Sequence, residues 1–444
     1  MNHFASLIRK KDIFLKLTVW FLFLNLFIIF TLPRIAGHFR GEDILTPILI
    51  FIDCTLLFRF ANTKRLYKPF ILSSIVYFTY SFFITCLNVF LNGLPTKAFL
   101  ILGKEVQYFL IFCLMYTVFN LDRRYIKRTM DVVLVFSIVA VVVAILFVIF
   151  DVQDCYGIRF LNIYRSPSLS MLMYFNCAVL CFLYSYCFKK SFFVLTIVLL
   201  LTVMLVGSRT GDIITIVFLL LLIYVHFMYK FSHRVTYCLL ILFFVAISIA
   251  YNKQIYRIMY FNHIQKKVIS ASLSRMATLL TPLQTLVGAR MNSWKSIAYA
   301  SIDSTELSLS NNTEASTSGI GLTCNSVTIT NKKLLYLLFG RGRGSTHIDK
   351  NGKFHLGLGA DSQYTKNLYE LGVVGSLAFF YMLFSFCKYI KYPLKKFYLI
   401  YLLCYLLAGL SMEIWQLSKG GQMFWIITAF FVSFSMNESC QSTS

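Results

Sequence analysis

Apolar runs of about 17 to 25 residues, long enough to carry a helix across a bilayer, recur along almost the whole of this 444-residue chain. Twelve such runs centre on residues 13–32, 44–60, 70–92, 98–119, 131–150, 168–188, 191–207, 212–229, 235–251, 368–387, 397–411 and 421–436. Inside hydrocarbon a backbone must satisfy its own hydrogen bonds, and no run shows the ten-residue alternation of a barrel strand, so each is expected to be helical. The composition agrees, with 58% hydrophobic residues, only 14% charged and a mean hydropathy of +0.72. A soluble domain is about a quarter charged. The 45 Phe and 27 Tyr exclude a disordered chain and argue against a nucleic-acid-binding basic protein. The expected class is an all-α integral membrane protein with about twelve transmembrane helices. The first run follows Arg9, Lys10 and Lys11, is longer than a signal-peptide core and meets no small-residue cleavage site after Phe30, so a retained anchor is expected.

Lys and Arg in short loops are held on the cytoplasmic side, and this sets the orientation. With the N-terminus inside, nineteen basic residues fall in cytoplasmic segments, among them Arg9, Lys10, Lys64, Arg65, Arg123, Arg124, Lys127, Arg128, Lys189, Lys190, Lys388 and Lys391, against seven in short outer loops. Both ends are therefore expected in the cytoplasm. The domain organisation that follows is a nine-span region over 1–251, one large extracytoplasmic loop over 252–366, and a three-span region with a short cytoplasmic tail over 367–444. The loop carries 14 basic and five acidic residues on the side where topology disfavours positive charge. Long loops translocate regardless of charge, so this excess calls for a separate reason. Either it is a solvated face beside anionic lipid, or it is a site for an anionic ligand such as a phosphate ester.

No duplicated halves are visible, and intramembrane charge is sparse; Lys104 and Glu105 in the fourth run stand out, and for them local pairing and substrate contact are both open. Of the cysteines, Cys155 and Cys324 fall outside by this topology and either stay free or bridge. Three motifs carry more information. GSRTG, residues 207–211, joins two runs with almost no loop, so that Arg209 stands beside a helix N-terminus, either as a phosphate ligand or as an interfacial arginine at a turn. GARMNSW, residues 288–294, spaces Arg290 and Trp294 four apart, on one helical face at the interface. From 339 to 375 run FGRGRGSTH, HLGLGAD and SQYTKNLYELGVVG. Without a βαβ unit these glycines are not a dinucleotide fingerprint. They are expected to give a flexible loop that brings Arg341, Arg343, His347, His355 and Asp361 to the mouth of the tenth span, with Asp361 also placed to cap the following helix. The eight-residue spacing of His347 and His355 is not a metal-ligand signature, and no metal site is expected.

These four features in order, namely GSRTG between two short spans, an external loop with Arg and Trp, FGxGxG, and DSxY followed by LxELGxxG, resemble the Wzy-type O-antigen polymerase and O-antigen ligase superfamily. The likeness covers mainly 200–385. It implies a helical, GT-C-like membrane glycosyltransferase, without metal or cofactor, acting on undecaprenyl-pyrophosphate-linked oligosaccharide at the outer face of a bacterial cytoplasmic (inner) membrane, among membrane lipid and alongside a chain-length regulator. By position, Arg209, Arg290 and Asp361 would be site residues. Asp361-Ser362 stands where ligases usually have His-Asn, which leans toward a polymerase.

The residues fit that chemistry. Transfer from a lipid pyrophosphate needs charge stabilisation of the leaving group and a base for the acceptor hydroxyl. Arg209, Arg290, Arg341, Arg343 and Lys104 are the candidate pyrophosphate contacts, with Asp361, or failing that His355, as the base. The expectation is a surface-polysaccharide polymerase. The alternatives are an O-antigen ligase and, from another class, a lipid-linked oligosaccharide flippase.

Overall fold

The apolar runs become helices in a computed structural model that describes residues 12–20, 48, 51, 69–149, 167–188, 193–206, 208–228, 239–248, 331–346, 362–410, 412 and 418–438. The main elements are α1 (Pro69–Asn92), α2 (Ala98–Leu121), α3 (Arg124–Ile149), α4 (Pro167–Cys187), α5 (Phe193–Leu205), α6 (Arg209–Met228), α7 (Asn331–Phe339), α8 (Gln363–Ser385), α9 (Leu394–Gly409) and α10 (Ser418–Glu438). Residues 12–20 and 239–248 are also helical, and no strand occurs among the described residues. Among the described residues, four helical segments are long and apolar enough to cross a membrane: Ile71–Asn92, Ala98–Leu121, Leu169–Cys187 and Gln363–Lys388. Within the described residues the protein is thus an all-α protein of membrane character. Cys155, Cys324 and most of the first two runs lie outside the described residues.

The chain divides into two compact units, Met1–Leu72 with Lys104–Ala271 and Leu383–Ser444, and Ser73–Gly103 with Ser272–Met382. The first unit is built round α4, which packs against α3, α5, α6 and α10, while α9 packs against α6 and α10. Of the apolar window of α4, 94% is buried, so this helix meets protein on every side. A helix so enclosed has no lipid-facing stripe, and polar side chains on it must find partners within the bundle. Asn176 does so. Its Nδ2 donates to the Tyr405 hydroxyl at 2.7 Å, its Oδ1 accepts from the Tyr401 hydroxyl at 3.0 Å, and the Tyr405 hydroxyl donates onward to Gly420 O at 2.9 Å. Three helices, α4, α9 and α10, are joined by this chain of bonds in a core otherwise made of stacked rings such as Tyr401 on Phe424. Asn176→Leu would leave both tyrosine hydroxyls without that partner, at about 1–3 kcal/mol. Thermal unfolding in mild detergent should show a lowered midpoint, and an unchanged midpoint would mean that the chain of bonds does not bear on stability.

Contacts at the ends of these helices tie distant parts of the sequence together. The Tyr125 hydroxyl donates to Asp12 Oδ1 at 2.6 Å, and the Tyr184 hydroxyl to Asp131 Oδ1 at 2.9 Å. The Lys391 N–H donates to Ser435 Oγ, and the rings of Phe188 and Phe434 meet edge to face at 6.1 Å. Asp12 also pairs with Lys16 at 2.7 Å, and these two bonds hold its carboxyl below the usual range.

In the second unit α1 has a polarity opposite to that of a helix in water. Ser74, Tyr77, Ser81, Thr85 and Asn88, spaced three or four apart, are buried, whereas Leu72, Ile75, Val76, Phe82, Phe83, Phe90 and Leu91 are exposed. A soluble protein would turn that apolar face inward. The buried polar stripe faces the glycine-rich segment.

Candidate functional site

FGRGRG forms a tight loop between α7 and the residues before α8. Gly340, Gly342 and Gly344 alternate with the arginines and all have positive φ, at 82°, 89° and 84°. The N–H groups of Arg341, Gly342 and Arg343 go to separate acceptors, Tyr369 O, Glu370 O and Thr85 Oγ1, while those of Gly344 and Thr346 converge on one carboxylate. That carboxylate is the protein's own Glu370. Its Oε1 accepts from Gly344 N at 3.0 Å, Thr346 N at 3.3 Å and the Thr346 hydroxyl at 2.6 Å, and its Oε2 accepts from Arg343 Nη1 at 3.0 Å.

A break in α8 makes the arrangement possible. Gly372 interrupts the helix with φ 66° and ψ −171°. On its N-terminal side, the carbonyls of Tyr369 and Glu370 accept from Arg341 N at 3.1 Å and Gly342 N at 2.8 Å. The Tyr80 hydroxyl, from α1, lies 2.9 Å from Leu371 O and 3.1 Å from Phe339 O. Backbone meets backbone here: a Cβ on Gly372 would overlap the carbonyl of Leu338, and one on Gly340 the carbonyl of Glu370. The two motifs FGxGxG and LxELGxxG are therefore two halves of one contact. Over residues 339–346 the expectation of a flexible loop is corrected, because this part is pinned by α8 and α1; residues 347–361 of the expected loop lie outside the described residues.

Arg343 was expected beside Arg341 at a pyrophosphate, but it turns inward and is fully buried. Its Nη1 bonds to Asn367 Oδ1 at 2.8 Å as well as to Glu370, its Nη2 donates to the Tyr77 hydroxyl at 2.8 Å, and its backbone N–H donates to Thr85 Oγ1 at 3.0 Å. Thr85 lies about two turns, and Tyr77 about four, before the end of α1. The ion pair therefore stands alongside the interior of a membrane-length helix, where an unpaired charge would be costly. This geometry gives Arg343 the part of an anchor.

Arg341 behaves differently. It is half-buried, with its guanidinium carbon 4.9 Å from the ring centroid of Tyr336 and 4.8 Å from that of Tyr369. Its Nη1 is 3.3 Å from the Tyr369 hydroxyl. Tyr336 is itself fixed, since its hydroxyl donates to Asn92 Oδ1 at 3.0 Å. Two aromatic faces thus flank the guanidinium and fix its position.

The remaining candidates are placed as follows. Arg209 is the first residue of α6, and Ser208 caps that helix, with its carbonyl accepting from Asp212 N at 3.1 Å. This puts the Arg209 backbone in the first turn, as the spacing of GSRTG predicts. Gly211 lets α6 approach Met171 and Val203 closely. Lys104 sits half-buried in α2 next to buried Glu105. Lys104 and Arg209 belong to one unit, Arg341 and Arg343 to the other. Asp361, His347, His355 and Arg290 lie outside the described residues. The cap position of α8 falls to Ser362, whose carbonyl accepts from Lys366 N at 3.2 Å, one residue later than expected.

Glu370, Thr346, Tyr77 and Thr85 were not among the expected site residues. For Tyr77 and Thr85 one signal was present, the polar positions of α1 recurring every three or four residues in an otherwise apolar run.

No protein-family model matches this chain, and no curated protein matches it in sequence.

Proposed function

We propose that the chain is a membrane glycosyltransferase of the surface-polysaccharide polymerase kind, joining lipid-linked repeat units at the outer face of a bacterial cytoplasmic membrane. The observation that carries this reading is Arg341, a cation held between Tyr336 and Tyr369 on a loop pinned to the start of α8. In this reading the chain spans the membrane twelve times with both ends cytoplasmic. The contacts Asp12–Tyr125, Asp131–Tyr184, Phe188–Phe434 and Lys391–Ser435 support that orientation, because each joins residues that the positive-inside rule assigns to the same side.

The reaction needs three things of the protein. Arg341 holds the pyrophosphate of the donor and stabilises the charge that develops as the anomeric C–O bond breaks. The acceptor hydroxyl oxygen forms the new bond to the anomeric carbon, and its proton passes to the Asp361 carboxylate, or to His355. Undecaprenyl pyrophosphate leaves. Arg343 takes no part at the phosphate and serves as anchor.

Arg341→Ala is expected to lower elongation of a purified lipid-linked repeat unit by about 100-fold, the scale of losing one preorganised oxyanion donor. In a complemented deletion strain the surface polysaccharide should shorten to single units. Wild-type chain length in that strain would refute the assignment of Arg341, and uncapped core with accumulated lipid-linked polymer would identify a ligase instead.

A further inference from the structure

We propose that Glu370 is a positioning residue that sets Arg341 for its anionic ligand, an assignment that rests on the role given to Arg341 above. Glu370 is fully buried and cannot touch a ligand. It nevertheless governs the loop that carries Arg341 through both its side chain and its backbone. The carboxylate gathers Gly344, Thr346 and Arg343, which fixes the loop on the C-terminal side of Arg341. The Glu370 carbonyl accepts from Gly342 N, the residue next to Arg341, and the Tyr369 carbonyl accepts from Arg341 N itself. The Tyr369 ring, one residue before Glu370, forms one wall of the aromatic clamp on the Arg341 guanidinium. A movement of Glu370 therefore moves the backbone of Arg341 and one face of its clamp together.

The backbone donors of the loop strengthen this point. Those of Arg341, Gly342, Arg343, Gly344 and Thr346 are taken by Tyr369 O, Glu370 O, Thr85 Oγ1 and the Glu370 carboxylate. The loop therefore serves to aim the arginine, and the ligand's charge falls to the Arg341 side chain. Positional error of about 1 Å at such a group is enough to lose on the order of 100-fold in rate.

The test is a double-mutant cycle on the full-length protein in detergent, with inorganic pyrophosphate as probe. Affinity is measured by isothermal calorimetry for wild type, Arg341→Ala, Glu370→Gln and the double variant, at a temperature where each is shown to be folded. Arg341→Ala should weaken binding about tenfold, the value of one charge-assisted contact. Glu370→Gln should also weaken it about tenfold in the wild-type background, and by less than twofold when Arg341 is already Ala. Thr346→Val, which removes only the hydroxyl bond to Glu370, provides a milder variant with an expected loss of about threefold under the same cycle, and it decides the matter if Glu370→Gln does not fold. An effect of Glu370→Gln or Thr346→Val that persists undiminished in the Ala background would overturn the positioning role while leaving Arg341 as a ligand contact. Unchanged affinity in Arg341→Ala would instead remove the functional reading itself.

Discussion

Arg343→Met is expected to destabilise the protein by about 3–5 kcal/mol, the cost of leaving one member of a buried ion pair without its partner. Glu370 would keep its three loop donors, but its Oε2 would face methylene and thioether groups beside the apolar length of α1. The drop in thermal midpoint should be on the order of 10 °C, read by size-exclusion of heated, detergent-solubilised protein. Replacing both members, as Arg343→Met with Glu370→Gln, should recover more than half of that loss. The neutral amide oxygen still accepts from Gly344, Thr346 N and the Thr346 hydroxyl, and no uncompensated charge remains. A single variant as stable as wild type would exclude the buried pair as a structural element. A double variant no better than the single would mean that shape at position 343 matters more than charge.

The second large effect is expected at Gly372. Alanine there meets two penalties. The Gly372 φ of 66° with ψ of −171° is a backbone region populated essentially by glycine alone, at about 1–3 kcal/mol for a residue with a Cβ. Overlap with the Leu338 carbonyl and with Gly340 N at 2.6 Å adds about 1–3 kcal/mol, since backbone on both sides has nowhere to move. Gly93 is the internal control. Its φ of 69° is also positive, but nothing lies within 4 Å of a Cβ there, so Gly93→Ala should cost only positive-φ strain, about 1–2 kcal/mol. Folded yield and thermal midpoint of the two alanine variants, measured side by side, separate conformation from crowding. Equal losses at the two positions would show that the contact of the loop with α8 contributes nothing.

These two sites also mark where reading along the chain stopped being sufficient. The helices themselves were legible. The apolar runs at 70–92, 98–119 and 168–188 became helices Pro69–Asn92, Ala98–Leu121 and Pro167–Cys187 with ends shifted by a residue or two. A run of apolar residues this long has one conformation in which its backbone is satisfied in lipid, so length and composition decide it. GSRTG was likewise legible as a near-loopless junction, since it begins α6 at Arg209 two residues after its first glycine. The glycine-rich segment was not. Its composition suggested freedom, and its restraint comes from Glu370, 26 residues beyond Gly344. Nor did the order of residues distinguish Arg341 from Arg343, two positions apart in one motif. One is clamped by tyrosines and half-buried, and the other is sealed against Glu370, Asn367 and Tyr77.

The amino-acid sequence by itself determined that the described apolar runs are helical and that four of these helical segments suit a bilayer. Each of these depends on local composition and on the free energy of moving backbone and charge between water and hydrocarbon. The tertiary structure alone decided which polar residues inside those helices meet. That outcome depends on the kink at Gly372 and on the close approach of glycine backbones. It also depends on the rule that a buried charge must find its counterpart wherever in the chain that counterpart lies.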